Sequence, residues 1–446
     1  MKDYIIKNAQ IVNEQTIQKG DVYLKNGWIE TISPSISNLP AGASVIDATG
    51  KYLIPGLIDD QVHFREPGLT HKETILTGSK AAVAGGITSY FEMPNTNPQT
   101  TTIEKLEEKF KMAKNNSYAN YSFMFGGTND NLEEIKNINP RTTAALKLFL
   151  GSSTGNMLVD NQHILEEIFR HSPLIIATHC EDENTVQKNL QKHVQHYGED
   201  IPIHLHPKIR SEEACYLSSS SAVALAKKTG ARLHVFHLST AKELELFTNK
   251  IPLAEKKITA EVCIHHLWFD ESDYDEKGTY IKWNPAVKTA EDRKALLKGL
   301  NDDFLDVLAT DHAPHTKEEK SNVYTKAPSG GPLVQHALPA LLEFYHQGKL
   351  SLEKLVEKMC HNPAILFDIE QRGYIREGYK ADLVLIDTDA AWTVDSSNIF
   401  YKCGWSPFEG TTFKSKVTHT FVNGNLVYED FKFNDGLFGE RLTFDR

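Results

Sequence analysis

The middle of the chain alternates short apolar strands with helical segments, and this alternation constrains the fold more than any other feature. Eight strand patterns occur between residues 52 and 314. They are YLIPGLID (52–59), GITSYFEM (86–93), NYSFMFGG (120–127), AALKLFLG (144–151), PLIIATHC (173–180), ARLHVFHLS (231–239), KITAEVCIHH (257–266) and DVLATDHAP (306–314). Eight β-then-α units predict a closed (β/α)8 TIM barrel. An open, doubly wound α/β sheet is the structural alternative.

Polar or titratable residues stand at the carboxyl ends of almost all these strands. In chain order they are His63 and Arg65, Asn95, Lys147, His179, His237, His265 and His266, and Asp311. A closed barrel gathers these strand ends around one mouth, whereas an open sheet spreads them along a line. The barrel is therefore the predicted fold, because only a barrel lets these residues share one ligand.

Both ends of the chain are rich in strand patterns, including AWTV (391–394). Asn26-Gly27 and Asn423-Gly424 are hairpin signals, because both positions of each pair tolerate positive φ. Neither end has enough strands for a stable sheet of its own, so we expect one small β-sandwich built from both ends. The predicted organisation is a sandwich part at 1–52, the barrel at 53–368 and a second sandwich part at 369–446.

Four of the strand-end residues have the side chains that catalytic zinc prefers, namely His63, His179, His237 and Asp311. Taken singly, a strand-end histidine is more often a core or surface residue than a ligand. Taken together, on strands one, five, six and eight, they favour a shared metal site. Asp311 has a second predicted role, as the base that takes a proton from water and carries it to the leaving nitrogen. A helix N-cap is the structural alternative for Asp311.

Lys147 is unusual within the apolar strand ALKLFLG. An ammonium group buried beside two divalent cations is strongly unfavourable. We therefore predict that CO2 carbamylates this amine, since a carbamate is anionic and can bridge two metals about 3.5–4 Å apart. A lysine that extends to the rim, or one that clamps substrate, is the alternative.

Arg65 and Asn95 lie at the predicted mouth without being metal ligands. A guanidinium group and a side-chain amide suit a substrate carboxylate, so the expected substrate is a small molecule that carries one. The polar run from Lys317 to Gly331 follows strand eight. It is either a lid or a solvated loop.

Gln61 stands where a paired H-x-H metal site would have its first histidine. Its amide oxygen is a weaker zinc ligand than imidazole. We therefore predict one or two zinc ions per chain with unequal affinity. The ion at His179 and His237 should be tight, and the ion at His63 and Asp311 weaker.

Composition excludes several classes of protein. A net charge of −11 argues against a nucleic-acid surface. No apolar run is long enough to span a bilayer, and the N-terminus lacks the apolar region of a signal peptide. Five scattered cysteines form no C-x-x-C pair, which favours a reducing cytoplasm.

Nine motifs in a fixed order resemble the cyclic amidohydrolases of the amidohydrolase superfamily over nearly the whole chain. They are GLIDDQVHFREPGLTHKE (56–73), MPNTNP (93–98), LKLFLGSSTGN (146–156), ATHCED (177–182), HPKIRSEEA (206–214), HVFHLSTA (234–241), EVCIHHL (261–267), WNPAVK (283–288) and ATDHAPHTKEEK (309–320). HFREPGLTHKE is most similar to the branch that interconverts N-carbamoyl-aspartate and dihydroorotate.

The resemblance implies a barrel with a β-sandwich, a zinc centre and this reversible ring closure in pyrimidine synthesis. It implies zinc ligation by His63, His179 and His237, a bridging carbamate on Lys147, and Asp311 as the metal-bound base. It also implies substrate contacts from Arg65, Asn95, Asn284 and His315, and a homodimer.

The chain departs from the family pattern at Gln61, at Ala286 and Lys288 in WNPAVK, and in the segment APSGGPLVQHALPALLEF (327–344). Two other hypotheses therefore stay open. One is a related enzyme that hydrolyses allantoin or a hydantoin. The other is a non-catalytic homologue that scaffolds a partner enzyme.

Overall fold

The two ends of the chain form one nine-stranded sheet. A computed structural model describes residues 2–38, 40–151 and 157–446, so the last five residues of the motif LKLFLGSSTGN lie outside the described residues. The N-terminal strands are β1 (Tyr4–Asn13), β2 (Thr16–Lys25), β3 (Trp28–Ser33), β4 (Ser44–Asp47) and β5 (Tyr52–Pro55). They lead directly into the barrel.

Eight parallel strands close the barrel. They are β6 (Leu57–Val62), β7 (Ile87–Glu92), β8 (Asn120–Phe123) continued by β9 (Phe125–Gly126), β10 (Leu146–Phe149), β11 (Ile176–His179), β12 (Leu233–Val235), β13 (Ile258–Cys263) and β14 (Val307–Ala309). A parallel bridge between Val62 and His312 joins the last strand to the first. The predicted (β/α)8 barrel is confirmed.

The C-terminal strands complete the sheet at the chain ends. They are β15 (Leu383–Asp387), β16 (Trp392–Thr393), β17 (Thr412–Phe413), β18 (Lys416–Val422), β19 (Asn425–Glu429) and β20 (Lys432–Phe433). The order is β20-β19-β18-β15-β5-β1-β2-β3, with β4 beside β1. The predicted strand AWTV does not join this sheet, because β16 pairs with β17 in a separate two-stranded sheet.

Helices follow the barrel strands and cover their outer face. They are α1 (Ile75–Ala84), α2 (Ile103–Ala113), α3 (Leu132–Lys136), α4 (Gln162–His171), α5 (Glu183–Tyr197), α6 (His206–Ile209), α7 (Glu212–Thr229), α8 (Ile264–Trp268), α9 (Tyr274–Lys277), α10 (Ala290–Asn301), α11 (Lys317–Lys320), α12 (Ala337–His346), α13 (Leu352–Val356) and α14 (Asn362–Leu366). None of the described helices is long and apolar enough to cross a membrane.

Burial explains why the barrel strands read as continuous apolar runs. Every residue of β6, β7, β10 and β11 is buried, as expected for parallel strands covered on both faces. Helix capping fixes the turns that follow. Asp182, for example, starts α5 by accepting a hydrogen bond from the Thr185 amide at 2.8 Å, only three residues after His179. The short turn holds the end of β11 in place.

Candidate active site at the barrel mouth

A cavity of about 170 Å³ opens at the carboxyl ends of the barrel strands. All ten residues that the sequence singled out as ligands, base or substrate contacts line it: Gln61, His63, Arg65, Asn95, Lys147, His179, His237, Asn284, Asp311 and His315. Phe149, Trp283 and the segment Pro328–Gly330 complete the wall. A cavity of this size accepts a small molecule and excludes a macromolecular substrate.

The four histidine and carboxylate residues lie in two pairs. Nε2 of His63 is 3.2 Å from Oδ1 of Asp311. Nδ1 of His179 is 3.0 Å from Nε2 of His237. Zinc ligands lie about 2.0–2.2 Å from the ion, so donor atoms this close to each other can share one ion. The cavity therefore holds two close pairs of side chains of the type that ligate metal.

Hydrogen bonds orient two of these rings. Glu181 holds Nε2 of His179 at 2.9 Å, so the ring presents Nδ1 to the cavity. The guanidinium of Arg210 holds the same Glu181 carboxylate. Oδ1 of Asn95 lies 2.9 Å from Nδ1 of His63, which leaves Nε2 facing Asp311. Asn95, predicted as a substrate contact, thus also orients the His63 ring.

Burial keeps the imidazoles of His63 and His237 neutral. It lowers the pKa of His63 well below the usual range, and Arg65 and Lys147 lower it further. It does the same to the pKa of His237, with His179 and Lys147 adding to the effect. Burial raises the pKa of Asp311 to about 7, while the charge of Lys147 opposes that rise. Metal binding needs neutral imidazole, so the rings of His63 and His237 are in the required form.

Lys147 lies on β10 and is 1% exposed. Its Nζ has no hydrogen-bond partner among the described residues and lies 4.1 Å from the centre of the Phe236 ring. Burial lowers the pKa of Lys147 to about 8, although Asp311 and Glu261 oppose this. CO2 reacts with neutral amines, so this amine is suited to carbamylation. Together with the two pairs, the residues present fit a metal centre.

Backbone strain is concentrated at the mouth. Arg65, His237 and Asp311 have φ of 66°, 39° and 49°. Residues other than glycine rarely adopt this left-handed backbone conformation, and each such residue costs of order 1–3 kcal/mol. Three such residues at the ends of three strands indicate that the fold places these side chains at an energetic cost.

Gln61 faces the cavity from β6 and is 1% exposed. Its Oε1 lies 3.7 Å from Sγ of Cys263. The thiol is a weak donor, so the amide oxygen has no strong partner there. Gln61 therefore lines the cavity with an amide oxygen that a metal could use.

Arg65 reaches the rim of the cavity. Its Nε donates to the Pro314 carbonyl at 3.1 Å, and its Nη2 lies 3.1 Å from Nε2 of His315. Lys72 donates to Nδ1 of the same histidine at 2.9 Å, and Nε2 also lies 3.0 Å from the Ser329 carbonyl. A neutral imidazole has one acceptor nitrogen. Nδ1 accepts from Lys72 and Nε2–H donates to Ser329, so His315 offers Nη2 of Arg65 no acceptor at this contact.

The segment Lys317–Gly331 is anchored over the cavity by a buried lysine. Nζ of Lys320 donates to the carbonyls of Lys282, Pro328 and Gly330 at 3.2, 2.9 and 2.8 Å. Gly330 has φ of 126°, where a side chain would be strained and would meet the Ala313 carbonyl. Of the two alternatives, a lid or a solvated loop, these contacts favour an ordered segment that covers the cavity.

Sequence reasoning missed three contributors and misplaced two residues. Glu181 and Lys72 were not singled out, although Glu181 lies in the motif ATHCED two residues after His179. Trp283 was also missed. His265 and His266 do not end a strand, since β13 stops at Cys263 and α8 begins at Ile264. Neither ring lines the cavity. The His265 ring stacks on Trp283 with ring centres 4.5 Å apart.

Comparison with known proteins defines the class to which this fold and site belong. The family model described as "Amidohydrolase family" matches residues 52–427, and the chain belongs to this family of hydrolases. The predicted family resemblance is confirmed.

Relatives and a solved structure refine the comparison. A dihydroorotase from Methanosarcina mazei is 34% identical over 422 residues, 92% of this chain and 91% of the relative. A dihydroorotase from Carboxydothermus hydrogenoformans is 35% identical over 441 residues, 95% of this chain and 98% of the relative. The structure of the L-hydantoinase (dihydropyrimidinase) from Arthrobacter aurescens superposes with a TM-score of 0.92 at 29% identity, covering 99% of this chain and 100% of that one.

Proposed function

We propose that this protein is a zinc-dependent dihydroorotase that interconverts N-carbamoyl-L-aspartate and (S)-dihydroorotate. The observation that carries the proposal is the position of the Arg65 guanidinium, at the rim of a cavity that also holds two close pairs of histidine and carboxylate atoms. Dihydroorotate carries one carboxylate beside the amide that is made or broken. The dihydroorotase relatives, aligned over most of the chain, support the same substrate.

The residues divide the reaction between binding and proton transfer. His63, Asp311, His179, His237 and a carbamylated Lys147 would hold the zinc, with Gln61 as a weak ligand. Zinc bound there supplies a Lewis acid that polarises the amide carbonyl and acidifies water. Arg65, Asn95, Asn284 and His315 bind the substrate, with the Arg65 guanidinium on its carboxylate. Asp311 accepts the proton from water and delivers it to the ring nitrogen during hydrolysis.

Turnover with a clamp variant tests this proposal. Purified protein supplied with zinc and bicarbonate should interconvert the two substrates, with ring closure favoured at lower pH. Arg65→Met should abolish turnover and leave zinc content unchanged, whereas Arg293→Met, which removes a guanidinium outside the cavity, should retain activity. No turnover by the wild-type protein in either direction, or full activity in Arg65→Met, would overturn the proposal.

A second candidate is a hydantoinase-type activity, favoured by the structural similarity to the L-hydantoinase. Hydantoins need no carboxylate for recognition, so the Arg65 clamp discriminates between the two candidates. Turnover of hydantoins or allantoin that survives Arg65→Met, with no turnover of dihydroorotate, would establish this alternative. Zinc below one ion per chain under replete conditions would instead favour a non-catalytic scaffold.

The carbamate on Lys147 has its own test. Protein stripped of metal and dialysed without CO2 should bind zinc weakly, and bicarbonate should restore tight binding. Lys147→Met should bind zinc weakly under both conditions, because neither an amine nor a carbamate is present. Equal zinc binding by the wild-type protein with and without bicarbonate would exclude a bridging carbamate.

We further propose that the reaction serves de novo pyrimidine (UMP) synthesis in the cytoplasm, by a homodimer with no nucleic-acid or membrane partner. All five cysteines are buried and free, which suits a reducing compartment. The oligomeric state is tested by light scattering of the purified protein, where a mass of one chain would exclude the dimer.

A further inference from the structure

A second group of ligand-type side chains lies inside the barrel, away from the cavity. Asp60 on β6, His234 on β12 and Glu261 on β13 each offer one ligand atom within 4.8 Å of the others. All three are 0% exposed. None of them lines the mouth cavity.

Thr259 and Leu233 surround one ring nitrogen of His234. Nδ1 lies 2.8 Å from the Thr259 hydroxyl, and that hydroxyl donates its only hydrogen to the Leu233 carbonyl at 3.3 Å. The tautomer with its hydrogen on Nδ1 satisfies both contacts, because the hydroxyl then accepts from Nδ1–H and donates to Leu233. In that tautomer the lone pair of Nε2 is directed into the cluster.

Three oxygens of the two carboxylates point at the same space. Oε1 of Glu261 accepts from the His237 amide at 3.0 Å and from the Cys263 thiol at 3.2 Å, but Oε2 has no hydrogen-bond partner among the described residues. Neither oxygen of Asp60 has one. Nε2 of His234 lies 3.2 Å from Asp60 and 3.9 Å from Glu261, yet neither approach is aligned as a hydrogen bond.

This arrangement has no lysine or arginine ion pair among the described residues, although the charge of Lys147 acts on Glu261. No lysine or arginine of the described residues lies within 4.0 Å of either carboxylate. Unpaired buried carboxylates are costly, and a lone pair facing them adds repulsion. A cation at the centre of Asp60, His234 and Glu261 would remove both costs.

We propose that Asp60, His234 and Glu261 bind a divalent first-row cation, a site separate from the metal centre at the barrel mouth. One imidazole nitrogen and carboxylate oxygens are typical zinc ligands and also suit manganese. Asp60 Oδ1 and Oδ2, His234 Nε2 and Glu261 Oε2 supply four unpartnered donor atoms. Asp60 and Gln61 are neighbours on β6, where the pairing with β7 shifts register. The Cys263 thiol lies between Glu261 of this cluster and Gln61 of the mouth.

Anomalous X-ray diffraction from wild-type crystals tests the proposal directly. Crystals grown with Zn2+, and separately with Mn2+, are measured on both sides of each metal edge. The expected result is an anomalous peak among Asp60, His234 and Glu261, in addition to any peak at the mouth. A metal-replete crystal with a mouth peak and no peak at the cluster would overturn the proposal, and this outcome needs no variant to fold.

A pair of isosteric variants supplies a second readout. Asp60→Asn should abolish the peak at the cluster and lower the metal content by one ion per chain, leaving peaks at the mouth in place. Asp59→Asn changes the adjacent buried carboxylate, which Thr310 and Gln61 hold. The Asp59→Asn variant should keep the anomalous peak among Asp60, His234 and Glu261. An infrared band from a protonated carboxylic acid that disappears in Asp60→Asn would mean that the carboxylates share a proton instead, and would overturn the proposal.

Discussion

Glu181 lies 2.9 Å from Nε2 of His179 and fixes which ring nitrogen faces the barrel mouth. Burial alone would raise the pKa of Glu181, but the charge of Arg210 and the bond to His179 lower it to about 2, so the group is an anion at neutral pH. An anion behind a metal-ligating imidazole raises the basicity of that ligand.

Replacing Glu181 with Gln should therefore weaken zinc binding, by about 10- to 100-fold for the loss of such a partner. Competition with a chromophoric chelator measures the zinc dissociation constant. The matched control is Glu213→Gln on the exposed start of α7, which should bind zinc as the wild type does. An unchanged dissociation constant in Glu181→Gln would show that His179 needs no such support.

Gln61→His should raise metal affinity at the position of His63 and Asp311. The reason is that imidazole is a better zinc ligand than an amide oxygen, and position 61 already faces the cavity. Zinc per chain after mild chelation should be higher than in the wild type, which should lose the ion at His63 first. Gln162→His, at the exposed start of α4, controls for an added histidine. Equal, full occupancy of both positions in the wild type would contradict the expected inequality.

Lys320→Met should loosen the cover over the cavity. Three carbonyls lose their donor, and a buried polar group left unpaired costs about 1–3 kcal/mol. Amide hydrogen exchange in residues 317–331 should accelerate, and KM should rise while zinc content stays unchanged. Lys317→Met, on the exposed side of the same helix, should change neither the amide exchange rate nor KM. Unchanged exchange in Lys320→Met would mean that other contacts hold the segment.

Ionisation of buried Glu73 should lower the free energy of unfolding as the pH rises to 7 and above. Burial raises its pKa to about 7 from an ordinary value of 4.5, although bonds from Thr77, Thr74 and Lys402 oppose the rise. A group with a raised folded-state pKa stabilises the fold below pH 4.5, and this contribution is lost as the pH rises through 7. The loss is at most about 3 kcal/mol. The thermal midpoint should fall between pH 5.5 and 8 by less in Glu73→Gln than in the wild type. Equal decreases of the thermal midpoint in the two proteins would contradict this prediction.

The barrel and the mouth could be predicted because their signals are local. Each strand is a short apolar run, and each candidate residue stands at the end of one, so strand order alone brings His63, His179, His237 and Asp311 together. Lys147 was recognisable because a charged residue interrupts an apolar strand.

Other features depend on contacts between distant segments. Lys72 contacts His315, which lies 243 residues later in the chain. No local sequence pattern predicts that contact. The cluster of Asp60, His234 and Glu261 was missed because Asp60 reads as part of the polar run that ends at His63. His265 and His266 were assigned to a strand end because no sequence signal shows that β13 ends at Cys263 and α8 begins at Ile264.

The joint sheet has a consequence for how the protein is made. Leu53 of β5 pairs with Leu385 of β15, so the N-terminal half of the sheet emerges from the ribosome long before its partner. Translation at about 5–20 residues per second leaves β5 without that neighbour for roughly 20 to 60 s. During this interval the nascent chain exposes an apolar strand edge, of the kind that aggregates or recruits a chaperone. Truncations that remove β15 would leave the same edge exposed permanently.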